Sequence, residues 1–454
     1  MSKLKSKPKS IIPMSVPHAD RMPGTEFQFA HMREKFLSLA RFYGFERMVS
    51  SFIEDPAPYV LAVKNGLFEE RTPLMCHTAS GGEMMARPNV VLPILRAYVS
   101  EKMNDLPHPL KFSAGGESIF LHGPSKEFRS VEEEGLVIIG EEGPIAEAEI
   151  IQVIAKTIEE LGIEMSRCQL AVNATGCTSC RVHYRAALGT YYRSRQAKLC
   201  KHCKRHFKRT PTKMLLCREE KCAQLAAHAP QVLDYLCEEC KKHLRGFLEF
   251  LDEMRVPYFL DTKLFREGSW FYQIIFEFTV QPHANTETSG EHEERVGLTH
   301  GGMMQGVTVA EGGRMSRLGE FIVGRRLDVA AGFFSLANFL AILADAGIPA
   351  AIPSRPRVFL AQLGELAKRK SIKLLEILRK GEIDTRESLG RDALKSQLKV
   401  AELIGAEIAL VLGQKEALDE TIIVRDVASG MQETIAQDKL IEFFRKKMKK
   451  PIGE

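Results

Sequence analysis

The sequence has no apolar stretch long enough to suggest a membrane-spanning helix. Its most apolar stretch, residues 330–352, is interrupted by Asn338, Asp345 and Pro349, and this pattern favours a helix buried in the protein core. The first ten residues, MSKLKSKPKS, are basic, but no apolar run follows them, which excludes a secretory signal. We therefore expect a cytoplasmic protein that has no membrane partner.

Acidic residues are absent from the segment between Arg181 and Lys213, which contains eleven Lys or Arg residues. The net charge of the whole chain is only +5, so positive charge is concentrated in this segment. Such a block is typical of a nucleic-acid-binding surface, but it also occurs where basic side chains balance anionic metal–thiolate groups. The sequence leaves both interpretations open, and they are compatible with each other.

The 454 residues are enough for about two to four domains. The patterning predicts four regions: a flexible basic arm at 1–25, a mixed helix–strand domain at 26–163 and 246–350, a cysteine-rich insertion at 164–245, and a C-terminal domain at 356–454. Hydrophobic periodicity predicts helices over 29–45, 90–103 and 146–163, and strands over 134–140 and 271–280. In the C-terminal domain, strand-like and helical segments alternate, which predicts a small α/β domain with a mostly parallel sheet.

Nine of the ten cysteines lie in the insertion, and eight of these form four closely spaced pairs. The pairs are Cys177 and Cys180, Cys200 and Cys203, Cys217 and Cys222, and Cys237 and Cys240. Two such pairs supply the four thiolates of a tetrahedral zinc site, with zinc–sulfur distances of about 2.3 Å. The sequence therefore predicts two structural zinc ions. Four pairs combine into two sites in three ways, and the spacing does not select one of them.

Motifs across the chain resemble those of bacterial histidyl-tRNA synthetases. In the insertion, NATGCTSCRVHYRAAL and CAQLAAHAPQVLDYL are similar to the family's GxxxCRxxYRxAL and APxxxDYL segments. Outside it, the similar segments are ARPNVVLPILRAYV (86–99), LFREGSWFYQIIFEF (264–278), GGRMSRL (312–318) and AAGFFSLANFLAIL (330–343), the last resembling motif three of the family. Residues 391–416 resemble the family's anticodon-binding domain.

This resemblance implies an α+β fold, in which a class II aminoacyl-tRNA synthetase catalytic domain is built on an antiparallel sheet. The cysteine-rich segment would be an insertion in that domain, and an α/β anticodon-binding domain would follow it. The resemblance also implies a tRNA partner and a homodimer formed through residues 29–43 and 47–56, although Ser51 stands where the family has a proline. ATP and magnesium would be cofactors only if the chain is catalytically active.

Several positions that the family uses for chemistry are changed here. Adenylate formation needs cations aimed at the triphosphate, but Ser113 and Asn338 stand where motifs two and three of the family have arginines. In the segments that match the histidine pocket, Asn89 and Val91 replace a glutamate and a threonine, and Val137 replaces a carboxylate. The resemblance therefore implies that both phosphate clamps are lost, and it leaves no residue assigned to histidine binding.

Other family positions are retained. Arg266 matches a catalytic arginine, and Arg129 and Arg314 match arginines near the nucleotide, while Glu117 is a candidate for the motif-two glutamate. An ion pair is the alternative role for Arg266, and a tight turn is the alternative for the segment that contains Arg314. Two zinc–tetrathiolate sites would carry about −2 each, so about seven of the eleven basic residues would remain for phosphates. The RNA-binding candidates are Lys201, Lys204, Arg205, Lys208 and Arg209.

These observations support three hypotheses about function. The first is a non-ligating, RNA-binding or regulatory relative of the synthetases that keeps the tRNA-binding architecture. The second is an active histidine–tRNA ligase with an atypical site. The third is a regulatory subunit for a histidine-biosynthesis enzyme, which ranks last because that branch of the family typically lacks the anticodon-binding domain. The lost arginines favour the first hypothesis, because family membership alone does not establish activity.

Overall fold

The structure is a computed structural model that describes residues 21–64, 71–122, 127–217, 219–265, 271–281, 306–348, 357–388, 390 and 393–448. The chain divides into two compact units, Met1–Ile352 and Pro353–Glu454. Arg266 and the flanking residues 267–270 lie outside the described residues, as do residues 1–20 of the basic arm.

A mixed but mainly antiparallel sheet organises the first unit. Its described strands run in the order β1, β6, β7, β12, β11, β10, β8 and β9, and β3 pairs with β6. Among the described pairings of this sheet, only β1–β6 and β8–β9 are parallel. The strands of this unit are β1 Glu46–Met48, β2 Ile53–Glu54, β3 Arg71–Pro73, β4 Met75–His77, β5 Glu83–Ala86, β6 Leu110–His122, β7 Glu127–Ile139, β8 Cys168–Gly176, β9 Tyr258–Leu260, β10 Gln273–Val280, β11 Val307–Arg314 and β12 Val329–Ser335.

Helices flank both faces of this sheet and also build the insertion. The described helices of the first unit are α1 Pro23–Phe42, α2 Pro56–Lys64, α3 Val91–Ser100, α4 Ile145–Glu160, α5 Thr178–Arg193, α6 Lys201–His206, α7 Glu220–Ala227, α8 Glu238–Glu253, α9 Ser316–Val323 and α10 Leu336–Asp345. The predicted helices at 29–45, 90–103 and 146–163 correspond to α1, α3 and α4, and the predicted strands at 134–140 and 271–280 fall in β7 and β10.

Alternate residues of β7 belong to two different hydrophobic cores. Leu136 and Ile138 pack in the core that contains α1 and α4, and we call this side of the sheet the helix-covered face. Val137 and Ile139 pack in the other core, with side chains of α3 and α9. Because successive side chains of a strand point to opposite faces, the register of the ladders assigns every residue of β6, β7, β11 and β12 to one face or the other.

The insertion joins the sheet through β8. This strand pairs with β10 along its whole length, so the segment that departs from the sheet begins at Cys177 and not at residue 164. Helices α5 to α8 follow, and α8 packs against α4 of the first unit. The predicted boundary at 164 therefore assigned a strand of the central sheet to the insertion.

The second unit is an α/β domain with a five-stranded sheet. Its strands run in the order β14, β13, β15, β16 and β17, and the prediction of a mostly parallel sheet is wrong. β13 is parallel to β14 and β15, but β16 is antiparallel to β15 and β17. The described elements are β13 Val358–Gln362, α11 Glu365–Lys380, β14 Thr385–Glu387, α12 Leu394–Ile404, β15 Ile408–Leu412, α13 Gln414–Asp419, β16 Thr421–Asp426, β17 Gln432–Ala436 and α14 Leu440–Met448.

The apolar stretch at 330–352 is not the single core helix that its composition predicts. Its first part belongs to β12, and α10 begins only at Leu336. Ser335 makes the change possible, because its hydroxyl accepts a hydrogen bond from the Asn338 backbone N–H and caps the helix. Within the described part of the chain, no helix has the length and apolar character that crossing a membrane requires.

Candidate functional site

The face of the central sheet opposite the helix-covered face carries buried carboxylates, and we call it the polar face. Cross-strand pairing places Phe333 opposite Glu311, and Glu311 opposite Glu277. Since opposed residues share a face, Glu311 and Glu277 lie on the side of Phe333, which packs in the second core. Glu133 shares this side with Val137, four residues along the same strand. These three glutamates are almost completely buried.

Most of the described partners of these carboxylates are side chains of the sheet itself. Arg71 donates to Glu133 at 2.7 Å, and the Ser118 hydroxyl donates to the same carboxylate at 3.1 Å. The Thr308 hydroxyl donates to Glu277 at 2.5 Å. Glu133 and Glu311 line a small recess together with residues of β11 and β12. The charge of Arg71 is therefore already paired with a carboxylate at this recess.

Asn338 occupies the position where the resemblance implies a motif-three arginine. It lies in the first turn of α10 and is buried. Its side-chain amide donates to the Thr308 carbonyl at 2.8 Å. The neutral side chain is thus bound to the backbone of β11, and it supplies no cation to the recess.

Ser113 and Glu117 lie on the helix-covered face, which corrects the roles inferred from the resemblance. Ser113 pairs with Leu136 of the helix-covered face. Glu117 pairs with Glu132, which lies two positions from Glu134 on β7 and therefore shares the face of Glu134 and Leu136. Residue 113 therefore does not mark a lost clamp on the polar face, and Glu117 does not reach that face. Ala114, Gly116, Ser118 and Phe120 of β6 share the polar face, and none of these four is a cation.

Arg314 also lies on the helix-covered face, and its prediction as a nucleotide-binding residue is wrong. Its guanidinium is completely buried and donates to the Glu147 carboxylate at 2.7 and 2.6 Å. It also donates to the carbonyls of Glu141 and Gly143. These bonds engage all three nitrogens of the guanidinium, so the side chain joins β11 to α4 and has no donor directed at the recess.

The buried pair also reaches the insertion. His243 of α8 lies 3.0 Å from the Glu147 carboxylate. Burial alone would raise the pKa of Glu147, but Arg314 and His243 outweigh burial and lower it to about 2. Sequence reasoning missed Glu147 and His243, because nothing in the sequence pairs residues 147, 243 and 314.

Arg129 is the one nucleotide-binding candidate on the polar face among those that the structure describes. It pairs with Phe120, whose ring lies 4.6 Å from the Arg71 guanidinium. The catalytic candidate Arg266 lies outside the described residues. Of the residues that match the histidine pocket, Asn89 caps α3 by accepting from the backbone N–H groups of Val91 and Leu92, and Val137 is part of the core.

The eight paired cysteines form two clusters. The first cluster is Cys177, Cys180, Cys237 and Cys240, and the second cluster is Cys200, Cys203, Cys217 and Cys222. In each cluster the four sulfur atoms lie within 4.8 Å of one another. The structure thus selects one of the three combinations that the sequence left open. Cys76 and Cys168 belong to neither cluster.

Both clusters fit a tetrahedral zinc ion. Zinc–sulfur bonds of about 2.3 Å place the sulfur atoms roughly 3.8 Å apart. The Sγ atom of Cys177 is 3.4 Å from that of Cys180 and 4.0 Å from that of Cys237, and the Cys200 and Cys217 sulfurs are 3.9 Å apart. Four thiolates and no carboxylate suit zinc better than calcium or magnesium.

Backbone hydrogen bonds to sulfur also favour thiolates in the second cluster. The Cys203 backbone N–H bonds to the Cys200 sulfur and lowers the pKa of that thiol to about 7. Burial raises the pKa of Cys203 and Cys222, so these thiols need a cation to ionise. A coordinated zinc ion would supply that cation, because zinc favours the deprotonated form of its thiol ligands.

The five RNA-binding candidates lie on α6 and the turn that follows it. All five side chains are exposed. Within the described residues, none of them forms an ion pair with an acidic group. Their positive charge therefore faces solvent, as a phosphate-binding surface requires.

Known proteins resemble this chain over nearly its whole length. Residues 357–447 match the family model of the anticodon binding domain. A histidine–tRNA ligase of Pelotomaculum thermopropionicum is 27% identical over 431 residues, which cover 94% of this chain and 96% of the relative. The chain is therefore similar to histidine–tRNA ligases over nearly its whole length, and this likeness extends over both structural units.

Solved structures of the histidyl-tRNA synthetase family share the fold. Apo histidyl-tRNA synthetase from S. aureus matches with a TM-score of 0.73 and 22% identity, over 94% of this chain and 98% of that one. An ATP phosphoribosyltransferase regulatory subunit/histidyl-tRNA synthetase from Bacillus halodurans matches with a TM-score of 0.57 and 12% identity, over 89% and 99%. These likenesses establish a class II synthetase fold with an anticodon-binding domain.

Proposed function

We propose that this protein is a synthetase-like, RNA-binding member of its family that does not form histidyl-adenylate at a meaningful rate. The observation that carries the proposal is the charge of the polar face. Glu133, Glu277 and Glu311 lie there, and the Arg71 guanidinium is paired with one of them. A triphosphate brought to such a face would meet carboxylates where it needs cations.

The lack of a cation at two places, the start of α10 and the polar-face positions Ala114, Gly116, Ser118 and Phe120 of β6, sets the size of the expected defect. Asn338 gives no cation at the start of α10, and these four residues of β6 give none either. Each missing cation removes about 3 kcal/mol of transition-state stabilisation, on the scale of one oxyanion-hole donor. Two of them correspond to a rate lower by about 10⁴-fold.

Histidine-dependent exchange of pyrophosphate into ATP tests this proposal. We expect a rate about 10⁴-fold below that of an ordinary histidyl-tRNA synthetase assayed in parallel. The same preparation should contain its bound metal and bind tRNA, which shows that it is folded. Exchange within about tenfold of the ordinary enzyme would instead support an active histidine–tRNA ligase with an atypical site, as the full-length relatives are named.

Two features support the RNA-binding part of the proposal. The C-terminal unit contains an anticodon-binding domain, and α6 presents exposed basic side chains with no described acidic partner. Binding of phosphates by such side chains releases counterions, so the affinity should fall steeply with salt. The partner we propose is a structured RNA, with tRNA first.

Replacement of the five basic residues should weaken binding to tRNA. In a variant with glutamine at 201, 204, 205, 208 and 209, we expect the slope of log affinity against log salt to flatten by about 0.7 to 0.9 for each phosphate that the variant no longer neutralises. Metal content and melting temperature should stay close to those of the wild type. A control variant, Lys35→Gln, Lys156→Gln and Arg326→Gln, removes exposed charges elsewhere and should leave the slope unchanged. Equal affinities of the wild-type and five-residue variant at low salt would show that the block only balances the metal sites.

We also propose a homodimer formed through the N-terminal part of the first unit. Phe42 and Val49 are each 82% exposed, and Phe52 is partly exposed nearby in sequence. Large apolar side chains exposed in one segment are typical of an interaction surface, and this segment matches motif one of the family. Sedimentation analysis at micromolar concentration should report a dimer, and a monomer would contradict the proposal.

A further inference from the structure

The two cysteine clusters lie at different places in the insertion. The first cluster joins the start of α5 to the start of α8, because Cys177 and Cys237 are the residues that precede these helices. It therefore closes the two ends of the insertion onto each other. The second cluster joins residues that all lie between α5 and α8, and it closes a short internal segment around α6 and α7.

The first cluster is next to contacts that hold the insertion on the central sheet. Immediately after Cys177, the Thr178 backbone N–H donates to the Tyr272 hydroxyl at 2.8 Å. One turn later, Arg181 donates to the Phe271 carbonyl at 2.9 Å. On the other helix of this cluster, His243 bonds to Glu147 of α4. Both helices that begin at this cluster thus bind the synthetase core.

The second cluster instead shapes the basic surface. Cys200 precedes α6 and caps it, since its sulfur accepts from the Cys203 backbone N–H at 3.4 Å. The Cys200 backbone N–H in turn donates to the Cys222 sulfur at 3.2 Å. Helix α6 has only six residues, too few to form a helix without support from outside. Its buried side chain is Cys203, which is itself a member of the cluster.

We propose that the metal ion of the second cluster creates the RNA-facing surface by ordering α6, whereas the metal ion of the first cluster fastens the insertion to the sheet. The expected change in tRNA affinity rests on the proposed RNA-binding function. The ordering of α6 by the metal ion does not depend on that function and is measured separately. Without the second ion, Lys201, Lys204 and Arg205 lose the helix that presents them together, and the surface loses its preorganisation.

A matched pair of substitutions in the full-length protein separates the two roles. Cys217→Ser removes a partly exposed ligand of the second cluster that lies outside α6, and Cys237→Ser removes the exposed ligand of the first cluster. The measurements are zinc per chain by mass spectrometry, affinity for tRNA at fixed salt, the rate of tryptic cleavage within residues 201–209, and the melting temperature.

We expect each variant to lose one zinc ion. In Cys217→Ser, tRNA affinity should fall at least about tenfold, because the disordered segment no longer holds several phosphates at once. Cleavage within 201–209 should accelerate by a similar factor, and the main melting transition should stay near its wild-type temperature. In Cys237→Ser, the main transition should fall by several degrees, roughly 2–4 °C for each kcal/mol of lost stability.

Two results would overturn the inference. One is a Cys217→Ser protein that has lost one zinc ion but keeps both wild-type tRNA affinity and resistance to trypsin in 201–209. The other is identical behaviour of the two variants in every measurement. If the wild-type protein binds no tRNA, the proposed function fails, but the tryptic cleavage rate still decides whether the second metal site orders α6.

Discussion

Removal of the metal ions is expected to unfold the insertion. Structural zinc contributes about 10–16 kcal/mol to the folding of small zinc domains at neutral pH, which is as large as the whole stability of a typical domain. Here four of the eight cluster cysteines, Cys180, Cys203, Cys222 and Cys240, are buried, and α6 and α7 have only six and eight residues. Without the ions, the buried thiols and short helices cannot offset the conformational entropy of residues 177–240.

Hydrogen exchange resolved by peptide, with and without a strong chelator, measures this effect. Amide protection should disappear between residues 177 and 240 and persist in strands β13 and β15 of the second unit, which contain no cysteine. Mass spectrometry of the untreated protein should find two zinc ions per chain. Protein that is purified without zinc and whose far-UV circular dichroism ignores chelators would contradict the prediction.

Breaking the buried pair between Arg314 and Glu147 should be the most destabilising single substitution among the ion pairs of the first unit. Both side chains are completely buried, so Arg314→Met leaves the Glu147 carboxylate in the core without its main partner. Removing one member of a buried pair costs about 3–5 kcal/mol. The double variant Arg314→Met, Glu147→Gln removes both charges, and we expect it to be more stable than Arg314→Met alone.

Urea unfolding of the variants measures the difference. Arg326→Met is the matched control. Arg326 forms ion pairs with Glu142 and Asp328, but its side chain is 71% exposed. Exposed ion pairs contribute less than about 1 kcal/mol. A loss below about 1 kcal/mol for Arg314→Met would show that the pair is not important for folding.

The same pair predicts a sensitivity to acid. The pKa of Glu147 is lowered from its ordinary value of 4.5 to about 2. The stabilisation from its ionised form is therefore fully present above about pH 4.5 and is lost as the pH falls towards 2. The Arg314→Met, Glu147→Gln variant lacks this contribution, so its stability should depend less on pH in that window.

Local sequence patterns were sufficient to predict the long helices and strands and the residues that make up the metal sites. Helices α1, α3 and α4 and strands β7 and β10 follow their hydrophobic periodicity, which depends only on nearby residues. The four cysteine pairs likewise show in the sequence, because a metal site needs closely spaced ligands. The composition of residues 330–352 predicts one helix, because a buried strand and a buried helix are equally apolar. The Ser335 cap marks the point where β12 ends and α10 begins.

Only the tertiary structure decided which residues share a site. Ser113, Glu117 and Arg314 match the family by position, but the register of their strands turns all three to the helix-covered face. A shift of one residue along a strand reverses the face, and a sequence match at low identity does not resolve such a shift. The sulfur contacts that combine the cysteine pairs and the contacts of Glu147 join residues 17 to 167 positions apart. By itself the sequence determined the types of metal ligand and the missing arginine at Asn338. The fold decided which residues lie next to one another, because such contacts depend on the path of the whole chain and not on local spacing.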